Sequence, residues 1–511
     1  MPERILIHRA QYHDSAYLMR LSRRLAQSEG ISEAVVVMAT EMNRALLASV
    51  GFRSAELDSA RPLDLVVALR GKDLAALERA GAECERLLSQ DDRPAASGAA
   101  ARPASLREAL REHPQAELVS VAVPGEYAGH VARQAIEAGR HVFLFSNNVP
   151  LEQEIALKRE ARARDLLLMG PDCGTAILGG VGLGFANRVR RGPVGLVGAS
   201  GTGLQEVSSL LHQLGSGVSH AIGTGSRDLS AEVGAMMTEA GLRLLAADPD
   251  TRVIGLIAKH PAQEVAERLH RLLAGFGKPV VVRFLGQPAR SSSAGVKYAD
   301  SLEEAACLAA RLSGAPRDRL EDAASSGAES PVEPEASAPG RLVGLFGGGS
   351  LASEAALTLR SRGLPVEEPG EPLLPGQPLP GAAHLVVDCG EEFYTRGKPH
   401  PMVDQTVRCE LIRRLGADPA VGVLLFDLVL GDGAHPDPAP ELAQALEAAR
   451  AARGRRPLRV FASVTGTELD PQDANRQRGV LERAGARCFP SAWRAAVGAA
   501  DELLGVRGKD A

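Results

Sequence analysis

The residues best placed to do chemistry in this chain lie between Gly198 and Asp228. Gly198-Ala-Ser-Gly-Thr-Gly203 follows a short apolar run, Val194–Val197, and precedes an apolar-periodic segment, Leu204–Leu214. Gly223-Thr-Gly-Ser-Arg-Asp228 follows the next apolar run, Val218–Ile222. This pattern predicts strand, glycine-rich turn, helix, strand and a second glycine-rich turn. Two such turns at the carboxyl ends of neighbouring parallel strands define the crevice where α/β sheets bind ligands. Glycine lets backbone N–H groups approach a ligand, and a helix N-terminus favours an anion. Ser200 and Thr202 add hydroxyl donors to the amides of Gly201 and Gly203. The stretch reads as an oxyanion or phosphate cradle spread over Ser200–Gly203 and Gly223–Asp228, with helix N-termini expected at 200–204 and 226–230. Gly198 to Gly203 has P-loop spacing, but Leu204 and Gln205 stand where Lys and Ser or Thr are required. Gly223-x-Gly225 lacks the third glycine of a dinucleotide fingerprint. The competing reading is a pair of ordinary tight βα turns.

Other side chains could serve such a cradle. Arg227 could hold phosphate or carboxylate through its forked donors, or could simply pair with Asp228. Lys259 and His260 follow the apolar run Val253–Ala258 and could handle a proton or stabilise a leaving group. A His before Pro at a strand end is also a common exposed loop residue. Asp172, Cys173 and Gly174 form a turn on the binding edge after Leu166–Met169. Cys173 reads as a small buried residue, since no base partner is evident. In the C-terminal third, Gly433 and His435, and Gly466 and Thr467, stand on turns that follow apolar runs. His400, Asp404, Arg408 and His435 lie close in sequence, but their spacing is not that of a metal site. They read as lining an anion cradle or as polar interface contacts, and no metal is assigned.

The elements that must position these residues are α/β throughout. The 511 residues allow three or four domains at ~150 residues each. Residues 1–90 read as β-α-β-α-β, a small α+β domain with a helix at Glu41–Ser49, and Asp91–Ser105 as a linker. Residues 106–190 and 192–313 are two further α/β units. Arg317–Gly340 is acidic and rich in Ala, Ser and Pro, the composition of a flexible linker. Residues 341–510 form a last α/β unit with turns at Gly347–Ser350, Asp388-Cys-Gly390, Asp427–Gly433 and Thr465-Gly-Thr467. The expected fold class is α/β, with several doubly wound parallel-sheet units after the small α+β domain.

Composition excludes several classes. The chain is 45% hydrophobic and 24% charged with a net charge of −5, so nothing suggests nucleic-acid binding. Aromatic residues make up 3%, too few for a base-stacking surface. The six cysteines contain no C-x-x-C pair and indicate neither zinc nor a disulfide framework. The first residues, MPERILIHRA, are charged where a signal peptide is apolar. No apolar run reaches the ~18 residues of a spanning helix. A cytoplasmic location and no membrane partner are expected.

Six motifs carry a resemblance: GPDCGTAI (170–177), GASGTGLQE (198–206), HAIGTGSRDLS (220–230), HPMVDQTVR (400–408), GAHPDPA (433–439) and VTGTELDP (464–471). Their order resembles the FdrA family, relatives of succinyl-CoA synthetase, over nearly the whole chain. The resemblance implies a CoA-binding-type Rossmann domain at 106–190. It also implies two flavodoxin-like ligase domains, α-type at 192–313 and β-type at 341–510. It implies acyl-CoA synthetase chemistry or, through allantoin breakdown, a component of an oxamate carbamoyltransferase. CoA is the one cofactor it suggests, and small anionic substrates with separately encoded subunits or a homo-oligomer are the partners.

The departures from the synthetase are specific. Its phosphohistidine sits in Gly-His-Ala-Gly, and the corresponding loop here is Ser292-Ser293-Ala294-Gly295. The glutamate that supports that histidine is matched by Lys259. The nucleotide-grasp domain and the CoA loop have no recognisable counterpart. Carbamoyl transfer from carbamoyl phosphate needs no protein nucleophile, only positioning and charge stabilisation. Three readings follow: a carbamoyltransferase subunit, an acid–CoA ligase subunit, and a non-catalytic metabolite-binding scaffold.

Overall fold

The computed structural model describes all residues except 12, 14, 41, 42, 45, 46, 49, 92–102, 289, 294, 326–339, 374–378, 396–398 and 506–511. Two compact units emerge, Met1–Pro103 with Thr395–Pro399, and Ala104–Tyr394 with His400–Ala511. In the first, strands β1 (Glu3–His8), β2 (Ile31–Met38) and β3 (Leu65–Gly71) make an antiparallel sheet in the order β1-β3-β2. The helices Ser15–Ala26 and Leu74–Asp91 supply its covering leucines, including Leu18, Leu25 and Leu77. Residues 43, 44, 47 and 48 of the helix expected at 41–49 are helical; the rest of it and most of the 91–105 linker lie outside the described residues.

The second unit holds three sheets. The first is parallel, with β4 (Leu118–Val121), β5 (His141–Leu144) and β6 (Leu168–Met169) in sequence order. The second runs β13-β12-β11-β9-β10-β7-β8. Its strands are β7 (Thr175–Leu178), β8 (Val181–Gly184), β9 (Arg191–Ala199), β10 (Val218–Gly223), β11 (Val253–Lys259), β12 (Val280–Leu285) and β13 (Val296–Tyr298). The hairpin β7–β8 pairs antiparallel with β10, so residues 175–184 complete the sheet of the following α/β unit. The third sheet is wholly parallel in the order β15-β16-β14-β17-β18-β19. It comprises β14 (Arg341–Phe346), β15 (Val366–Glu367), β16 (His384–Asp388), β17 (Val421–Val429), β18 (Arg459–Thr465) and β19 (Arg487–Phe489). Central strands such as β12 and β17 are buried at every residue. That is why they read as continuous apolar runs rather than alternating ones.

Four helices join the second and third sheets: α1 (Gly201–Gln213), α2 (Leu302–Ser313), α3 (Gly349–Ser361) and α4 (Ala492–Leu504). Their facing sides are rich in alanine, including Ala305, Ala309, Ala352, Ala356, Ala495 and Ala499, and share one hydrophobic core. Small residues let the helix axes approach, so the two α/β units pack as a continuous body.

Two expectations are corrected. Arg317–Ser325, placed in a flexible linker, is a helix; the rest of that linker, 326–339, lies outside the described residues. The turn after β10 does not open a helix at 226–230. Residues 226–235 are turns, and the next helix starts at Met236. Asp228 explains this: its carboxylate takes the amides of Met237 and Thr238 at 3.3 and 2.8 Å and the Thr238 hydroxyl at 2.7 Å, which holds the chain in an extra loop.

Candidate functional site

The Gly198–Gly203 turn works with a partner from the other α/β unit. After β9 the chain reaches Ser200, the N-cap of α1. After β14 it passes Gly347 and Gly348, the N-cap of α3. The two turns meet: the Ser200 hydroxyl donates to Ser350 Oγ at 2.7 Å, buried on both sides. A Cβ on Gly348 would lie 2.8 Å from Thr202 Cγ2, so a side chain there would push the turns apart. Two helix N-termini thus face a common point, each with orphan amides and the positive end of its dipole. At Gly203 a Cβ would stand 2.2 Å from Ser200 Oγ, so this glycine preserves the Ser200–Ser350 bridge.

The second turn is fixed from behind. The fully buried Asp427 carboxylate accepts the amides of Gly347 and Gly348, each at 2.7 Å, and Arg408 Nη1 at 2.6 Å. Arg408, itself buried, also donates to Gln405 Oε1 and to the Asp427 carbonyl. Burial pushes the Asp427 carboxyl up, and Arg408 and the two glycine amides pull it back. Spending the Gly347 and Gly348 amides on Asp427 leaves the first-turn amides of α3 at the meeting point.

Lys259, the last residue of β11, reaches the same place. Its Nζ lies 3.3 Å from where a Cβ on Gly349 would sit, and Asp388 Oδ2 lies 2.4 Å from that point. An ammonium and a carboxylate therefore flank the first residue of α3. Among the described residues neither Lys259 Nζ nor Asp388 Oδ2 has a hydrogen-bond or ion-pair partner; Asp388 Oδ1 accepts from Gly390 N at 2.8 Å. Burial raises the Asp388 carboxyl to about 6 against the lowering effect of the Gly390 amide and Lys259. Asp172 stands on the rim. Burial raises it too, while Ser226, which donates at 2.7 Å, and the charges of Arg227 and Lys259 lower it.

Below the meeting point lies a carboxyl pair. Glu206 and Glu354 occupy matching positions, each five residues after the first residue of its helix. Glu206 accepts Ala492 N at 2.9 Å, capping α4; Glu354 accepts Leu302 N at 2.7 Å, capping α2. Burial raises both carboxyls, Glu354 to about 7, and the charge of Glu354 raises Glu206 further.

Of the residues singled out from sequence, the structure brings together Ser200, Gly201, Thr202, Gly203 and Lys259, with Asp172 beside them. The others make contacts within the protein away from that point. Arg227 is held by the Val149 carbonyl at 2.7 Å and Glu154 at 2.8 Å, not by Asp228 and not in the cradle. Asp228 pairs with the buried Lys158 at 2.8 Å. His260 has a left-handed φ of +46° and packs over Gly286. Burial and Lys259 lower its pKa, which disfavours the protonated form. Gly223 and Gly225 let the chain pass against the 170–175 loop: a Cβ on either would meet the Thr175 or Pro171 carbonyl at 2.3 Å. Cys173 is buried in that contact with its thiol pushed up to about 12, too high for a nucleophile. Gly174 accepts Phe185 N at 2.7 Å through its carbonyl and closes the β7–β8 hairpin.

The C-terminal turns are structural as well. Gly433 approaches Gly184 and Phe185 of the hairpin, and His435 pairs with Glu441 at 3.3 Å. The Gly466 carbonyl accepts Gln213 Nε2, and the Thr467 hydroxyl donates to the Arg188 carbonyl at 2.6 Å. The first holds the turn after β18 against the end of α1, the second against the chain that leads into β9. His400 and Arg408 do not gather with His435: His400 lies against Gly390 and Arg408 against Asp427.

Sequence reasoning missed the cradle's second half: Gly348, Gly349, Ser350, Asp388 and Asp427. A signal was present, since Gly347-Gly-Gly-Ser350 follows its apolar strand as Gly198-Ala-Ser-Gly201 follows β9.

The comparisons with known proteins agree with this architecture. The family model for the CoA binding domain matches residues 189–286, and that for CoA-ligase matches residues 345–500. The model "AllF, heavy metal-associated domain" matches residues 1–104. These define an α/β protein with a CoA-binding-type and a CoA-ligase-type domain after a small N-terminal domain. Within that class the chain belongs to the family of the uncharacterized protein YahF of Escherichia coli (strain K12). It is 38% identical to YahF over 504 residues, 95% of either chain. It is 28% identical to the ADP-forming sulfoacetate-CoA ligase subunit SauD of Bilophila wadsworthia (strain 3_1_6), over 36% of this chain and 63% of that one. Among solved structures, the dinucleotide forming acetyl-coenzyme A synthetase 1 of Ca. Korarchaeum cryptofilum is 16% identical. That match covers 76% of this chain and 84% of that one at a TM-score of 0.30, too low to carry an argument. The CoA-binding match falls on the second sheet, whereas the sequence reading put such a domain at 106–190.

The residues of the three-stranded sheet do not fit the diphosphate of CoA. Its two βα turns open helices Gly125–Glu137 and Leu151–Arg162 with exposed carboxylates, Glu126 and Glu152, in their first turns. Negative charge at a helix N-terminus disfavours a second anion there. The orphan amides of α1 and α3 and the Lys259 side chain favour one at their meeting point.

No helix among the described residues is long and apolar enough to cross a membrane.

Proposed function

We propose that this chain is an FdrA-like subunit of a carbamoyltransferase. It would use carbamoyl phosphate and a small amide or carboxylate acceptor such as oxamate, in allantoin and purine breakdown. The observation that carries this reading is the meeting of two helix N-termini at Ser200–Ser350 with the Lys259 ammonium beside them, unpartnered among the described residues. Such a site holds a phosphate as substrate group and stabilises it as leaving group. The loop that would carry a phosphohistidine reads Ser292-Ser293-Ala294-Gly295; Ala294 lies outside the described residues, and Ser292 Oγ accepts Tyr298 N. A direct transfer, with both reactants positioned and no phosphorylated protein, suits that loop. The N-terminal match to the AllF-type domain supports the allantoin link. Separately encoded subunits or further copies of the chain would supply what the acceptor site lacks. The described cysteines are all free, which suits a cytoplasmic location.

The second reading, an acid–CoA ligase subunit, is favoured by the CoA-ligase match and by SauD. It would need a separate nucleotide-binding subunit and a substitute for the missing histidine. The third, a metabolite-binding scaffold, would keep the cradle without turnover.

The test is ligand-induced thermal stabilisation followed by colorimetric detection of the carbamoylated product with native partners present. Carbamoyl phosphate should raise the melting temperature of wild type, and Lys259→Met should abolish that rise while folding normally. Stabilisation by CoA and not by carbamoyl phosphate would favour the ligase reading.

A further inference from the structure

We propose that Asp388 is the catalytic base that takes the proton from the acceptor nitrogen. This rests on the carbamoyltransferase reading and assigns that reaction a residue.

The requirement comes from the chemistry. An amide nitrogen such as that of oxamate is a poor nucleophile until it loses a proton. In the transfer, a bond forms between that nitrogen and the carbamoyl carbon. The bond from that carbon to the phosphate oxygen breaks, and its electron pair leaves with the phosphate. The nitrogen's proton must go to a base within hydrogen-bond reach of the acceptor.

Asp388 meets the geometric demands. It is the last residue of β16, which pairs with β14 through Phe346, so the fold delivers it to the start of α3. Oδ1 is occupied by the Gly390 amide, which fixes the carboxylate plane. Oδ2 has no partner among the described residues and lies within about 6 Å of Lys259 Nζ by way of Gly349, yet no ion pair joins them. An ammonium and a carboxylate oxygen that flank the start of α3 without pairing are placed to meet the two reactants, phosphate toward Lys259 and nitrogen toward Asp388. The other candidate bases are poorer. Asp427 is consumed by Arg408 and two amides, and Asp172 is exposed on the rim with Ser226 and the charges of Arg227 and Lys259 acting on it. His400, beside Gly390, is driven down to about 4 by burial and Arg408, which makes it a weaker base than Asp388. The groups acting on Asp388 are Lys259 of β11, Asp427 of β17, and Glu391 and the Gly390 amide of its own loop. Against burial, their balance leaves it ionised above about pH 6 and a stronger base than an ordinary aspartate.

The experiment compares wild type with Asp388→Asn, both with native partners. Asparagine keeps the Oδ1 acceptor for Gly390 and the shape, and removes the base with its negative charge. Carbamoyl phosphate stabilisation of the variant should equal or exceed that of wild type, because a like charge beside the cradle is gone, while turnover should fall about 10²–10⁴-fold. The acid limb of wild-type kcat/KM, centred near pH 6, should be missing from the residual activity. Wild-type turnover with an Asp388→Asn variant of equal rate and the same acid limb would overturn this assignment alone. A wild type that neither binds carbamoyl phosphate nor turns over would overturn the functional reading, and the assignment with it.

Discussion

Replacing Asp427 with asparagine tests whether the cradle is held from behind. Its carboxylate accepts two backbone amides at 2.7 Å and the Arg408 guanidinium at 2.6 Å, all buried. Asparagine keeps one acceptor oxygen and turns an NH2 group toward a donor. At least one amide of Gly347 and Gly348, or Arg408, then loses its partner. Breaking a buried ion pair from one side costs about 3–5 kcal/mol, because the remaining charge stays desolvated. Arg408 keeps Gln405 and the Asp427 carbonyl as partners, which places the effect toward the lower end. At about 2–4 °C per kcal/mol for a domain of this size, melting of the C-terminal α/β unit should fall by about 6–20 °C. Hydrogen exchange read by mass spectrometry should show a peptide spanning Gly347–Gly349 losing protection before the rest of β14. A multidomain chain need not unfold in one step, so the peptide-resolved measurement is the decisive one. Unchanged melting together with full protection at Gly347 and Gly348 would refute the idea that Asp427 builds this turn.

Two further outcomes follow from the same geometry. Gly203→Ala puts a methyl 2.2 Å from Ser200 Oγ. Ser200 must rotate off Ser350, and turnover should drop about 10²–10³-fold, as for loss of an oxyanion donor; a crystal structure retaining the Ser200–Ser350 bond would contradict this. Glu354 sits at about 7 in the folded chain against an ordinary 4.5, so the folded state holds its proton more tightly than the unfolded chain does. Its contribution is complete below about pH 4.5 and is lost as pH rises through about 7. Glu354→Gln keeps the acceptor for Leu302 and should flatten melting temperature over that window, and parallel pH curves for the two proteins would rule the pair out as the titrating element.

The sequence by itself determined the parallel α/β class, because strands buried on both faces read as apolar runs, as in Val280–Val282 and Val421–Phe426. It also marked Gly198–Gly203 and Lys259, since a glycine-rich turn between an apolar strand and a helix is local information. Tertiary structure alone decided what those residues face. The Ser200–Ser350 bond spans 150 positions in the chain, and nothing in either turn announces the other until the alanine-lined helices pack. For the same reason the neighbours of Arg227, Gly223 and Gly225 were not legible: Glu154 comes from the helix Leu151–Arg162, and the Pro171 and Thr175 carbonyls from the chain that enters β7. Asp388 and Asp427 were legible only as strand-end aspartates. One has a free oxygen and the other is bonded to Arg408, Gly347 and Gly348, because each carboxylate's role depends on which neighbours the fold sets beside it.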